Sequence, residues 1–185
     1  MIVRKLEGEK LPLNDAFIIK PQEFSDERGI FYKTYTEILL AEFGVKPYFN
    51  EEYLSISKKG VLRGLHYQSG KYAQGKLVRC IKGEIYDVIV DMRKSSTTFG
   101  KWTGVVLSAM NMLGLFAPRG FAHGFVALTE NATVLYKADN DYSPDQERGL
   151  LWNDPDLRIS WPISNPVISN KDKKWPSFKD AEYFE

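Results

Sequence analysis

His66 and His123 are the only two imidazoles among 185 residues, and each stands among glycine and aromatic neighbours, in Gly64-Leu65-His66-Tyr67 and Gly120-Phe121-Ala122-His123-Gly124-Phe125. Histidine is the side chain whose unperturbed proton affinity lies nearest neutrality, so both positions are candidates for proton transfer. A hydrogen-bonded structural histidine is the plainer reading of either. A metal site is disfavoured, because such sites draw on more imidazoles with a carboxylate near them and the chain has no His-x-His pair. A histidine acting as a base needs an acceptor on its far nitrogen, and Asp87 and Asp172 are the candidates, though spacing alone pairs neither with either histidine. Arg63, Lys76 and Arg79 place three cations on two strands read as neighbours, a cradle for a phosphate or diphosphate, or else a solvated sheet face. Tyr136 and Tyr142 are packing residues by default, yet a phenol also donates a proton or stacks on a base or sugar. Neither Gly-x-Gly-x-x-Gly nor Gly-x-x-x-x-Gly-Lys-Ser/Thr occurs, so any nucleotide is expected as substrate and not as a redox cofactor.

The elements that must hold these residues are mostly strands. Alternation and β-branched or aromatic enrichment predict strands at Ala16 to Lys20, Ile30 to Tyr35, Tyr53 to Ser57, Val61 to Tyr67, Leu77 to Ile81, Glu84 to Asp91, Thr103 to Leu107, Leu113 to Ala117, Gly124 to Leu128 and Thr133 to Ala138. In Glu84 to Asp91, period two sets Asp87 on the face of Ile85 and Ile89. Lys82-Gly83 reads as a two-residue hairpin turn into that strand. One short helix is predicted over Glu37 to Phe43, capped by Thr36 and stopped by Gly44. Short strands separated by Gly, Pro and Asn predict an all-β antiparallel sandwich or barrel. The tail from Tyr142 is irregular but rich in tryptophan, and is expected to pack on the β body or on a neighbouring subunit.

Composition bounds the setting. A chain of 185 residues, 43% hydrophobic and 26% charged, is expected to form one soluble domain over residues 1–185. The formal net charge of +1 argues for neither a nucleic-acid nor an anionic-membrane surface. No segment approaches the roughly 18 apolar residues of a membrane span. The single cysteine, Cys80, lies in an apolar run and is expected to be a buried thiol, in keeping with the reducing cytoplasm.

Together, the segments Asp26-Glu27-Arg28-Gly29-Ile30-Phe31, Gly60-Val61-Leu62-Arg63-Gly64-Leu65-His66-Tyr67-Gln68, Gln74-Gly75-Lys76-Leu77-Val78-Arg79, Asp87 to Asp91, Pro118 to Phe125 and Ile168-Ser169-Asn170-Lys171-Asp172 closely resemble the dTDP-4-dehydrorhamnose 3,5-epimerase family. The order matches over nearly the whole chain and includes Trp152-Asn153-Asp154-Pro155-Asp156 and Trp161-Pro162. The resemblance implies a cupin-like jelly roll or β-sandwich, a homodimer, no metal or organic cofactor, and inversion of carbons 3 and 5 of dTDP-4-keto-6-deoxyglucose. It implies His66 as base, Asp172 behind it, Lys76 near the enolate oxygen and Tyr136 as acid on the opposite face. His123 with Asp87 and Tyr142 then line the ligand pocket, Arg63 lies near sugar and diphosphate, and Arg28 and Phe31 reach the nucleotide, often from the other subunit.

In one place the chain departs from the family. Where relatives usually have Gln-Asp-Asn, it has Glu51-Glu52-Tyr53. A carboxylate in place of an amide loses a donor and repels a diphosphate unless it accepts from a hydroxyl or a base nitrogen. Two alternatives therefore stand: epimerisation at one carbon, or keto transfer, on another nucleotide-linked 4-keto sugar; and a non-catalytic sugar-nucleotide-binding module.

Overall fold

Antiparallel pairing organises the chain, as the alternation predicts. Among the described residues the strands are, in chain order, β1 (Ile2–Arg4), β2 (Glu7–Lys10), β3 (Phe17–Lys20), β4 (Gln22–Asp26), β5 (Gly29–Lys33), β6 (Glu51–Ser57), β7 (Leu62–Gln68), β8 (Lys76–Lys82), β9 (Glu84–Asp91), β10 (Trp102–Ser108), β11 (Gly114–Ala117), β12 (Phe121–Ala127), β13 (Ala132–Ala138) and β14 (Glu147–Gly149), with one α-helix, α1 (Glu37–Glu42), and short 3₁₀ turns. The structure, a computed structural model, describes residues 2–45 and 48–185, and the backbone alone of residues 2–4. A six-stranded sheet runs β2-β3-β11-β8-β13-β6, a five-stranded sheet β10-β9-β12-β7-β14, and a three-stranded sheet β1-β4-β5. The two larger sheets form an open sandwich.

Strand period decides what lies between them. Ile85, Ile89, Phe121 and Phe125 of the five-stranded sheet pack against Val78, Cys80, Leu115 and Val134 of the six-stranded one. Asp87 follows the phase of Ile85 and Ile89 and is fully buried. Cys80 is a buried free thiol, as expected, and burial pushes its proton affinity up to about 11. The opposite phase of the five-stranded sheet, with Leu65, Val88, Val90 and Ala122, is covered by the tail through Leu150, Leu157, Trp161, Phe178 and Phe184. The tail therefore belongs to the fold because it dries a sheet face that would otherwise be exposed.

The helix covers the outer face of the six-stranded sheet. The Thr36 side chain accepts from the Leu39 amide at 3.2 Å, and Leu39 and Leu40 turn inward onto Phe17, Ile19 and Phe116. Phe17 stacks between Phe43 (4.2 Å between centroids) and Phe116 (5.0 Å), a fully buried side chain of a kind that contributes about 1.5–3 kcal/mol.

Three expectations change. Lys82-Gly83 is not a hairpin turn: β8 pairs with β11 and β13 while β9 pairs with β10 and β12, so this corner carries the chain from one sheet to the other. Two strands joined by a tight corner need not pair when each has a better-matched neighbour. Arg63 and Arg79 do not share adjacent strands either. Arg79 is buried on the outer side of β8, where it donates to the carbonyls of Thr34 and Met112 at 2.5 Å each, so it is a structural cation. The strand expected from Ile30 to Tyr35 ends at Lys33, because Tyr35 turns to pack edge-on against Phe49, centroids 5.9 Å apart.

Candidate active site

Arg63 and His66 are three residues apart, which in a regular strand would point them to opposite faces. A bulge alters this. His66 lies opposite His123 and Arg63 opposite Phe125, so β7 carries one more residue than β12 in this interval. The extra residue resets the alternation, and both Arg63 and His66 line the space between the sheets. Gly64 makes the bulge possible: its φ is +124°, and a Cβ there would lie 2.5 Å from the Gly124 Cα.

The space is a cavity of about 640 Å³. The five-stranded sheet supplies His66, His123, Arg63 and Phe125, the six-stranded sheet Lys76, Tyr136, Tyr53 and Ser55, and the tail Lys171 and Asp172. A smaller compartment of about 440 Å³ shares His66, Lys76 and Tyr53 and adds Glu51, Gln68, Gln74, Tyr142 and Glu147. The larger one carries the cations Arg63 and Lys171. Beyond the shared His66 and Lys76, the smaller is lined by carboxylates, amides and phenols.

Each histidine has its carboxylate. His66 Nε2 lies 2.7 Å from Asp172 Oδ1, and His123 Nε2 lies 2.7 Å from Asp87 Oδ1. Asp172, from a 3₁₀ turn (Asp172–Lys174), also accepts from the Gly64 amide at 3.4 Å and the Trp175 indole at 3.2 Å. Burial pushes the Asp172 carboxyl up, but the bonds from His66, Gly64 and Trp175 outweigh it and hold the carboxyl below its ordinary range. Asp172 is therefore a carboxylate at neutral pH. With Nε2–H donated to Asp172, the other ring nitrogen of His66 is left to accept a proton. Asp87 has the opposite balance: burial drives its carboxyl up against the pull of His123 and Lys76.

The facing sheet carries donors. Burial pushes the Tyr136 phenol far above its ordinary range, so it stays protonated; its hydroxyl lies 3.3 Å from Ser55 Oγ, and its ring stacks on Tyr53 at 4.8 Å. Burial lowers Lys76 to about 8, opposed by Glu147, Asp87 and Glu51. Arg63 donates to Ser57 Oγ at 3.0 Å. Tyr142 donates its amide to Glu51 at 2.9 Å and its hydroxyl to Glu147 at 2.8 Å, while Lys171 pairs with Glu147 at 2.7 Å.

The structure thus gathers His66, Asp172, Lys76, Tyr136, His123, Asp87, Arg63, Glu51 and Tyr142 around one site. Arg28 and Phe31 are not among them. They lie on the β4–β5 hairpin, whose sheet pairs with neither larger sheet, and Phe31 is 65% exposed. Ser55, Glu147 and Lys171 are site residues that the sequence did not single out, and Tyr53 entered only within the departure Glu51-Glu52-Tyr53. Period two from Glu51 would have put Tyr53 and Ser55 on its face, and Lys171 adjoins Asp172. Nothing local marks Glu147, which arrives through the pairing of β14 with β7.

The profile of the dTDP-4-dehydrorhamnose 3,5-epimerase family matches residues 10–180. The dTDP-4-dehydrorhamnose 3,5-epimerase of Shigella flexneri is 52% identical over 176 residues, spanning 95% of this chain and 97% of that one. The crystal structure of the like-named enzyme of Elizabethkingia anophelis superposes with a TM-score of 0.94 at 47% identity, covering 97% of this chain and 100% of that one. A dTDP-6-deoxy-D-glucose-3,5-epimerase of Legionella pneumophila, in complex with dTDP-4-keto-L-rhamnose, gives 0.91 at 39% identity, covering 96% and 95%. Matched over nearly its whole length in sequence and in its cupin-like sandwich, the chain belongs to the dTDP-4-dehydrorhamnose 3,5-epimerase family and is an isomerase.

Proposed function

We propose that the protein inverts carbons 3 and 5 of dTDP-4-keto-6-deoxyglucose, giving dTDP-4-keto-L-rhamnose, with His66 as base, Tyr136 as acid and Lys76 beside the enolate oxygen. The observation that carries this reading is the opposition across one cavity of a carboxylate-backed imidazole on one sheet and a buried, protonated phenol on the other. The 4-keto group acidifies the hydrogens on both neighbouring carbons. His66 takes one of them, the C–H electron pair moves into a carbon–carbon double bond, and the carbonyl oxygen becomes an enolate beside the Lys76 ammonium. Tyr136 then returns a proton from the other face, which inverts the centre. Arg63 and Lys171 suit the diphosphate. Incubation with the substrate in deuterated water tests the reading: label is expected at carbons 3 and 5, and no label at either would sink it.

A second reading, inversion at one carbon or action on another nucleotide-linked 4-keto sugar, is favoured by Glu51, whose carboxylate lines the smaller compartment beside Glu147. Label at a single carbon, or turnover only of a GDP- or UDP-linked sugar, would select it.

Lys76 gives the reading a pH signature. As the folded-state affinity of Lys76 is lowered to about 8, its cation is lost as pH rises through that value, and kcat/KM is expected to fall above pH of about 8. Lys76→Met should cost about 10²–10³-fold in kcat and erase that limb. A limb unchanged in the variant would assign it to another group.

The chain reads as one domain, residues 1–185, without metal or organic cofactor, acting in the cytoplasm on a nucleotide sugar. No helix among the described residues is long and apolar enough to cross a membrane. We place Arg28 and Phe31 in the nucleotide site of a second copy, in a homodimer. Exposed Ile30 and Phe31 on the hairpin, and Leu54 and Ile56 on the edge strand β6, support this. Light scattering should give twice the chain mass. A fully active monomer would exclude it.

A further inference from the structure

Trp175 is tied to the His66 environment in three ways. Its indole N–H donates to Asp172 Oδ1 at 3.2 Å, the same oxygen that lies 2.7 Å from His66 Nε2. Its ring stands edge-on to the imidazole, centroids 6.0 Å apart. It also lies flat on Gly149, where a Cβ would come within 2.5 Å of the indole, and Gly149 is the β14 residue registered against His66. Pro176, next in the chain, is anchored by a 2.8 Å bond from the Leu151 amide to its carbonyl. The indole is thus a fixed donor placed on the one carboxylate oxygen that orients the imidazole.

A carboxylate oxygen that accepts from a second donor has less charge to offer the first. We infer that Trp175 is a positioning residue for the His66–Asp172 pair: its indole N–H shares the oxygen that holds His66 and so keeps the imidazole from being over-stabilised in its protonated form. Other charged groups also face His66. They are Lys171 from the tail, Glu147 from β14, Glu51 from β6, Lys76 from β8 and Arg63 from β7 itself. His123 lies opposite on β12, and the phenols of Tyr53 and Tyr136 face it from β6 and β13. None of these groups accepts from the indole N–H, which is bonded to Asp172, so loss of that N–H with the ring kept reaches His66 through the carboxylate.

The inference rests on the reading of His66 as the base, and its test separates the two. Trp175→Phe keeps a ring over Gly149 and removes the N–H. The His66 imidazole, one of only two histidine signals and identified by its loss in His66→Asn, is expected to titrate about half a pH unit higher in the variant than in the native chain, with His123 unmoved. The acidic limb of kcat/KM should move with it, so that turnover on that limb falls about threefold while the plateau and KM stay within twofold. An unmoved His66 titration, or an equal loss of rate at every pH, would overturn the inference and leave Trp175 a packing residue. The imidazole titration needs no turnover, so its outcome stands whatever the deuterium experiment shows. Should the phenylalanine variant fold poorly, the native chain still decides: the Trp175 indole N–H signal should follow the His66 titration, and a signal flat across that range would overturn the proposal.

Discussion

His66→Asn is expected to lower kcat by about 10³-fold or more and to stop deuterium entering the sugar, with substrate binding held within a few-fold. Asparagine keeps a polar side chain of similar reach beside Asp172 but has no nitrogen able to take a proton. The fold should survive, because His66 is partly exposed, with 26% of its side chain accessible, and the strand is held by its pairing with β12 and β14. Asp172→Asn should be milder, since the base remains but loses the carboxylate that orients it and stabilises its protonated form. Single-turnover rates and proton NMR of the product check both variants. Exchange in His66→Asn within tenfold of the native rate would show that another group removes the proton.

The second large effect is of a different kind. Tyr136→Phe should leave exchange in place while inversion falls about 10²–10⁴-fold, because the base still lifts the proton but nothing on the facing sheet returns one. Label would then enter with the starting configuration retained. The variant should lose only about 1 kcal/mol of stability, as the ring keeps its stack on Tyr53 and only the 3.3 Å bond to Ser55 goes. A parallel loss of exchange and inversion would mean that Tyr136 does not act separately from the base, and the acid would have to be sought among Tyr53, Lys76 and His123, which line the same cavity.

Much of the frame was legible because strand period is local. The run Glu84 to Asp91 carried its own phase, and it put Asp87 where burial and His123 now hold it. The Thr36 cap and the Gly44 stop of α1 were equally readable, since both are satisfied within a few residues. The short strands β1, β2 and β4 escaped notice because β1 has three residues only and nothing in Glu7-Gly8-Glu9-Lys10 or Gln22-Glu23-Phe24-Ser25-Asp26 alternates in hydrophobicity; β1 in addition finds its partner, β4, about twenty residues on. Lys82-Gly83 misled for a related reason: a turn signal records that the chain bends, not which sheet it enters.

The site divides along the same line. By itself the sequence determined which groups were available: two imidazoles, the aspartates to back them, a lysine, and two phenols, Tyr136 on a strand and Tyr142 at the start of the tail, in an order that resembles one family. Tertiary structure alone decided which of them meet. The pairing of His66 with Asp172 spans 106 residues and that of His123 with Asp87 spans 36, distances over which no periodicity acts. Only the bulge at Gly64 turns Arg63 and His66 to the same side, and only the closure of one sheet on the other sets Tyr136 across from them. Residue type limits the chemistry, and the cross-sheet packing that sets burial, charge and hydrogen bonding selects which part of it is used.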